Sequence, residues 1–262
     1  MTIEESLSPS KVGLLLVGGA AGLLSGLLGV GGGIIMVPLL TGALGFDQHR
    51  AHAHSLAAIV LIAVSGAATF GLAGEIDVIV GLAIGAGGVA GSTMGAHLMN
   101  RLSAVALRGV FGIIMIGTGI RMLWGGGAAA GDDLGTWVGL SLAVGIGLVA
   151  GLASGVAGIG GGVIMVPAMV FVLGLDQHVA EGTSLLAILL TALAGTRVNM
   201  AHGRVDLSMA GWIGIGGVVS ALLGVRFALG LSAPSLSRVF GVFVAAVGLR
   251  MVIMLLRDQR LR

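Results

Sequence analysis

The sequence predicts an all-α, polytopic integral membrane protein made of two homologous repeats. Of its 262 residues 56% are hydrophobic and 9% are charged, whereas a soluble domain needs many more ionisable groups on its surface. Several apolar runs exceed the roughly 20 residues that a helix needs to cross a bilayer. None alternates apolar with polar residues, which argues against a transmembrane barrel. The runs cover residues 12–46, 51–74, 78–100, 134–175 and 207–225.

A duplicated phrase divides the chain into two units. GVGGGIIMVP at 29–38 returns as GIGGGVIMVP at 158–167, an offset of 129 (158 minus 29). The same offset pairs Asp77 with Asp206 and Arg121 with Arg250, and a constant offset over a whole half indicates a repeat. The predicted organisation is an N-terminal tail at 1–10, repeat 1 at 11–124, a linker at 125–135, repeat 2 at 136–256 and a cytoplasmic tail at 257–262.

Each repeat opens with a segment that is too long for one crossing. A single helix over 12–44 would be about 50 Å long at 1.5 Å per residue, against a hydrocarbon core of about 30 Å. The glycines therefore predict two shorter helices, arranged as a re-entrant hairpin or as a broken full crossing. Three spans follow in each repeat, which gives about 8–10 helical segments in total. They are predicted at 54–73, 77–99 and 103–124, and at 183–202, 206–229 and 235–256.

The basic residues favour the hairpin and inverted repeats. If the first segment returns to the side it entered, the second repeat is inverted and most basic residues fall on one face, which the positive-inside rule makes cytoplasmic together with both termini. A full crossing weakens this bias and stays the alternative. The predicted cytoplasmic set is Lys11, Arg50, Arg101, Arg108, Arg204, Arg257, Arg260 and Arg262, and the opposite set is Arg121, Arg226 and Arg238.

The triple glycines predict a binding site for an anion. Broken backbone is tolerated inside a bilayer only where it is buried in protein or lines a wet cavity. A helix that restarts there presents free N–H groups and its positive dipole end, which suits an anion without any charged side chain. Such breaks in both halves of a repeat are typical of a transporter's substrate site. The predicted substrate-binding residues near the breaks are Ser25, Gly29, Gly31, Gly32, Gly33, Ser55, Ser154, Gly158, Gly160, Gly161, Gly162 and Ser184.

Other small or polar residues carry competing interpretations. Gly87, Gly91 and Gly95 recur every four residues and are assigned to helix packing. Arg197 and Asn199 are further substrate-binding candidates, because an arginine inside a span is costly and often functional; the alternative is an arginine that snorkels to the interface. The cluster of His49, His52 and His54 is interpreted as solvated loop histidines, with no metal site.

At these residues the sequence resembles the TauE/SafE family, the sulfite exporter and toluene-sulfonate permease group. The resemblance rests on the duplicated G-x-x-S-G-x-x-G-x-GGG-x-x-x-x-P phrase and on the turns Gly74-Glu-Ile-Asp77 and Gly203-Arg-Val-Asp206, and it covers about 11–256. It implies secondary transport of sulfite, sulfonates or related organic anions, often as export, in the bacterial inner membrane.

Two other classes are weighed against a secondary carrier. Ser25 and Ser154 are faintly similar to the nucleophile of an intramembrane serine hydrolase, but leucine stands where that nucleophile has a glycine two residues earlier. A passive anion channel stays open, since sequence does not separate it from a carrier. No enzyme activity, cofactor or nucleic-acid partner is predicted. The exact substrate, a coupling proton or cation, and the oligomeric state stay open.

Overall fold

The computed structural model describes residues 10–98, 104–124, 136–157 and 161–260, and the regular structure in these ranges is entirely α-helical. This confirms the predicted all-α fold class. The number of described helices is at the upper end of the predicted range of 8–10 segments. The ten helices are α1 (Lys11–Leu28), α2 (Gly33–Ala43), α3 (Gln48–Leu72), α4 (Val78–Leu98), α5 (Ala104–Leu123), α6 (Thr136–Ala157), α7 (Gly162–Val172), α8 (Gln177–Ala201), α9 (Leu207–Gly230) and α10 (Ala233–Arg260).

Helices α3 and α8 begin about two turns before the predicted starts at 54 and 183. The cause is an aspartate N-cap: Asp47 accepts hydrogen bonds from the N–H groups of His49 and Arg50, and Asp176 accepts one from the N–H of His178. The hydrogen bond from the Arg50 N–H is the main reason that the pKa of Asp47 lies below its usual value. Polar helix starts of this kind are invisible to a search for apolar runs.

The interpretation of the histidine cluster as a solvated loop is wrong, because these residues lie on the first two turns of α3. His54 is fully buried. Its Nδ1 donates to the carbonyl of Arg50 at 2.7 Å, and its Nε2 accepts from the N–H of Asp206 at 3.1 Å. His54 therefore ties α3 to the start of α9.

The first segment of repeat 1 is a re-entrant hairpin, and that of repeat 2 shows the same division into a long helix, α6, and a short one, α7. Helix α1 has 18 residues and α2 has 11, and the end of α2 lies beside the start of α1. A Cβ added at Gly13 would lie 3.0 Å from Leu44 Cδ2. Pro38 lies in the interior of α2 and leaves the carbonyl of Ile34 without its helical donor.

The two repeats have opposite orientations in the fold. At the centre, α3 and α8 are antiparallel: Gly66 contacts Leu185, and Gly195 contacts Leu56. Helix α4 runs parallel to α8, since Gly81 contacts Leu186 while Gly85 contacts Leu190. The inverted arrangement that the basic residues favoured is therefore the one that the helices adopt.

Small residues form the seams between helices. Gly87, Gly91 and Gly95 of α4 pack against α6, where an added Cβ would meet the carbonyl oxygens of Val144, Leu148 and Leu152. Gly18, Gly22 and Gly26 bring α1 equally close to the backbone of α9. This confirms the packing interpretation of the Gly87–Gly95 motif. The close packing also supports α1 and α6, the helices that precede the two breaks.

Seven of the described helices are long and apolar enough to cross a membrane. Because α3 and α8 are antiparallel, Arg50 and Arg204 lie at one end of the bundle, and Ser232, which follows α9, lies at the other. Arg101, which is also in the predicted cytoplasmic set, is outside the described residues.

We predict that the end with Arg50 and Arg204 faces the cytoplasm. The chain contains no cysteine, so single cysteines can be introduced at Arg50 and at Ser232, which are both exposed. A membrane-impermeant maleimide added to intact cells should label Ser232→Cys and leave Arg50→Cys unlabelled until the membrane is opened. Labelling of Arg50→Cys from outside would reverse the orientation.

Candidate functional site

The two glycine breaks meet at the centre of the bundle. A Cβ added at Gly162 would lie 2.7 Å from the Cα of Val30 and 2.9 Å from the carbonyl oxygen of Gly29. Ile188 of α8 contacts both breaks, because its side chain lies 2.9 Å from an added Cβ at Gly31 and 2.8 Å from one at Gly162. The starts of α2 and α7 therefore converge on one place, beside the middle of α8.

The first break leaves a row of backbone donors unused. Gly29, Gly31 and Gly32 have φ values of 65°, 78° and 74°, the left-handed region that glycine adopts without strain. The N–H groups of Ile35 and Met36 both turn back to the carbonyl of Gly32 at 3.1 and 3.0 Å. The N–H groups at 31–34 donate no hydrogen bond to any described residue. A helix start with free donors is the feature that attracts an anion.

The second break differs from the first. Gly161 has a φ of −66°, whereas Gly32, its counterpart in repeat 1, has a φ of 74°. The N–H groups of Ile164 and Met165 turn back to the carbonyl of Gly161, as their counterparts in α2 do to Gly32. Gly162 is buried at the start of α7. Gly158 and Gly160, also predicted to bind substrate, lie outside the described residues.

Two of the four predicted serines have buried hydroxyls without a hydrogen-bond partner. Ser25 and Ser184 are fully buried, and neither Oγ has a partner. Ser55 is also buried, but its Oγ donates to the carbonyl of His52 at 2.8 Å. Ser154 is half-buried near the end of α6. A buried polar group without a partner is rare in a native protein and calls for an explanation.

Both of these serines belong to helices that contact the first break. Ser184 lies between Glu181 and Ile188 on one face of α8, and these two neighbours contact Gly29 and Gly31. Ser25 lies one turn beyond Ala21, whose carbonyl oxygen is 2.7 Å from an added Cβ at Gly32. The helices that carry the free hydroxyls therefore both contact the break that carries the free N–H groups.

Arg197 and Asn199 are not brought to the breaks. Arg197 is exposed and lies nine residues beyond Ile188, about 13 Å along the axis of α8. Asn199 uses its side-chain amide to donate to the carbonyl of Gly195 at 2.9 Å. These positions favour the snorkelling alternative for Arg197.

The residue that sequence reasoning missed is Glu181. Its side chain is fully buried in α8, and its backbone and Cβ lie 2.6–2.9 Å from an added Cβ at Gly29. Gln177 donates to Glu181 Oε1 at 2.8 Å, while Oε2 has no partner. One feature of the sequence could have identified Glu181. It is an acidic residue within an apolar segment, at the position where repeat 1 has His52.

Two equivalent hydrogen bonds connect the repeats to each other. Thr183 Oγ1 accepts a hydrogen bond from the N–H of Asp77 at 2.9 Å. At the corresponding position of repeat 1, His54 accepts from the N–H of Asp206. Each repeat thus fixes the turn before the second span of the other repeat, α4 or α9, by the same geometry with a different side chain.

The comparisons with known proteins agree with this architecture. The family model described as "Sulfite exporter TauE/SafE" matches residues 2–122 and 143–261, one match in each half. A "Probable membrane transporter protein" of Xylella fastidiosa is 31% identical over 241 residues, covering 90% of this chain and 92% of the relative. "Probable membrane transporter protein YunE" of Bacillus subtilis is 28% identical, covering 75% of this chain and 81% of the relative. No solved structure matches.

A duplicated, inverted helical unit and matches that cover both halves point to one conclusion. The chain belongs to the sulfite exporter TauE/SafE family of multi-pass membrane transporters and is not an enzyme.

Proposed function

We propose that this protein is a secondary carrier that exports small anions, most favourably sulfite, sulfonates or related sulfur-containing or organic anions. The carrier would lie in the bacterial inner membrane with both termini in the cytoplasm. The anion would bind where the two breaks meet, between the starts of α2 and α7.

One observation carries the proposal: two fully buried serine hydroxyls have no hydrogen-bond partner, and the helices that carry them contact a break whose backbone N–H groups also lack partners. Such groups are costly in a membrane interior, since water does not replace the missing bonds. Ser25, Ser184 and the amides at 31–34 together supply donors on more than one side of a small volume. An oxyanion satisfies all of them at once, and the helix dipoles add a favourable field.

The described part of the central site shows no cation that would hold the anion. Lys11 and the arginines whose side chains the structure describes are exposed, and none supplies the atoms nearest to an added Cβ at the glycines of the two breaks. Binding by amides and hydroxyls favours a weakly basic anion with several oxygens, such as a sulfonate, and keeps affinity moderate enough for release. Arg197, exposed near the proposed cytoplasmic end of α8, would attract anions to the entrance and not hold them at the break.

A transport assay tests the proposal and separates a carrier from a channel. Purified protein is placed in liposomes loaded with unlabelled sulfite or methanesulfonate, and labelled anion is added outside. A carrier should show saturation and counterflow, in which the internal anion accelerates entry of the label. Saturable flux without counterflow favours a channel, and no flux of any tested anion contradicts the proposal.

A further inference from the structure

The buried carboxyl of Glu181 lies at the wall of the proposed anion site. Gly29 touches its backbone and Cβ. Ser184 follows three residues later on the same face of α8, which places the two Cβ atoms about 5–6 Å apart. A charge at Glu181 would therefore act directly on an anion bound between the breaks.

The surroundings of Glu181 favour the neutral acid. An ionised carboxylate is stable in an apolar interior only when a cation or several donors compensate it. Glu181 receives one hydrogen bond, from Gln177 to Oε1, and Oε2 has none. The single ion pair among the described residues joins His178 and Asp176 and does not include Glu181.

The groups packed around this end of α8 do not replace the missing cation. Asp176 is acidic and half-exposed, and His178 is bonded to Asp176 and to the carbonyls of Ala228 and Leu231. Arg226 on α9 and Arg238 on α10, the arginines of these helices nearest this end, are exposed. Arg121 on α5 lies over the ring of Phe171, with its Cζ 4.3 Å from the ring centroid. The other titratable groups near this end are Glu75 and Asp77 before α4.

Glu181 also lies close to the solvent at the start of α8. It is five residues from the exposed Asp176, about 8 Å along the helix axis. Gln177 is buried between them and has an unpartnered Oε1. The start of α8 is therefore the nearest place on this helix at which Glu181 would exchange a proton with water.

We infer that Glu181 is a proton-binding site coupled to the anion site, so that one proton and one anion are bound together. Protonation forms an O–H bond at Oε2 and removes a negative charge from the wall of the site. Deprotonation returns the proton to water and repels the anion. The cost of two like charges in a poorly screened site makes each ligand favour the other reciprocally.

This inference rests on the proposed function and adds a coupling ion to it. With a monovalent anion, the loaded site carries one negative charge, and so does the empty site with Glu181 ionised, so a complete cycle would move no net charge and the membrane potential would not drive it. Direction would follow the anion and proton gradients, and it would be outward when the outward anion gradient exceeds the inward proton gradient.

The test measures binding of methanesulfonate, which stays ionised throughout the range, to the purified full chain between about pH 5 and about pH 8. Wild-type affinity should fall as pH rises, by up to about tenfold per pH unit above the titration of Glu181. Glu181→Gln mimics the neutral acid and should bind tightly with no pH dependence. The matched control Glu75→Gln, a partly exposed carboxyl near the same end of α8, should keep the wild-type slope.

Each contrary outcome has one meaning. A flat wild-type profile, or an unchanged slope in Glu181→Gln, would overturn the coupling while leaving anion transport intact. No methanesulfonate or sulfite binding by the wild type at any pH would count against the proposed function itself. If Glu181→Gln does not fold, titration calorimetry of the wild type in two buffers of different ionisation enthalpy decides. Uptake of a proton with each anion supports the coupling, and no uptake at any pH overturns it.

Discussion

Replacing Ser184 or Ser25 with alanine is expected to weaken anion binding without weakening the fold. Each hydroxyl is buried without a partner, so its removal relieves a desolvation cost and should leave the melting temperature equal or higher. A hydrogen bond to a charged ligand contributes about 1.5–3 kcal/mol, so each substitution should cost at least about tenfold in affinity. The double variant should lose about a hundredfold or more. Binding isotherms and thermal melts of the same preparations measure both quantities.

The matched control for the serine variants is Ser65→Ala. Ser65 lies on α3 and donates to the carbonyl of Ile62 at 2.9 Å within its own helix, so its hydroxyl is already satisfied. Its removal should leave affinity unchanged. Normal affinity in the Ser25→Ala, Ser184→Ala double variant would show that these hydroxyls do not bind the anion.

The second large effect is an unequal response of the two breaks to the same substitution. Gly32 has a φ of 74°, and an added Cβ would lie 2.7 Å from the carbonyl oxygen of Ala21. Gly32→Ala therefore combines left-handed strain of about 1–2 kcal/mol with overpacking of about 1–3 kcal/mol. Both the melting temperature and anion affinity should fall.

Gly161→Ala should be far milder. Its φ of −66° suits alanine, and the nearest atom to an added Cβ is the flexible end of Met165, at 2.8 Å. Gly91→Ala is the packing control, because its Cβ would meet the backbone of Leu148 at a distance from the breaks. It should lower the melting temperature and leave affinity normal in the folded fraction. Equal melting temperatures for Gly32→Ala and Gly161→Ala would contradict the difference between the breaks.

The repeats, the glycine breaks and the packing seams were predictable from the sequence because each leaves a periodic or duplicated pattern. The inversion was favoured by arginine positions, but the hairpin itself depends on a contact between Gly13 and Leu44 that no local pattern encodes. The domain boundaries and substrate-binding residues stay predictions.

What the sequence did not reveal depends on the antiparallel pairing of α3 and α8. Glu181 and Arg197 both lie on α8. In the packed bundle Glu181 is beside Gly29, whereas Arg197 is far from the breaks. Ser25 and Ser184 were predicted with Ser55 and Ser154. Ser25 and Ser184 differ from the other two because their buried hydroxyls have no hydrogen-bond partner. That property depends on how the helices pack and cannot be read from the spacing of residues.

The central claim is that an oxyanion binds where the two glycine breaks meet, and the most direct measurement is the position of a heavy analogue. Crystals of the protein grown with a selenium oxyanion such as selenite would locate selenium by anomalous scattering. The account predicts a selenium peak between the breaks, with the oxygens of the bound anion about 3 Å from the hydroxyl oxygens of Ser25 and Ser184 and from the backbone nitrogen of Gly33. A bound anion beside Arg197, with the two hydroxyls still unpartnered, would contradict it.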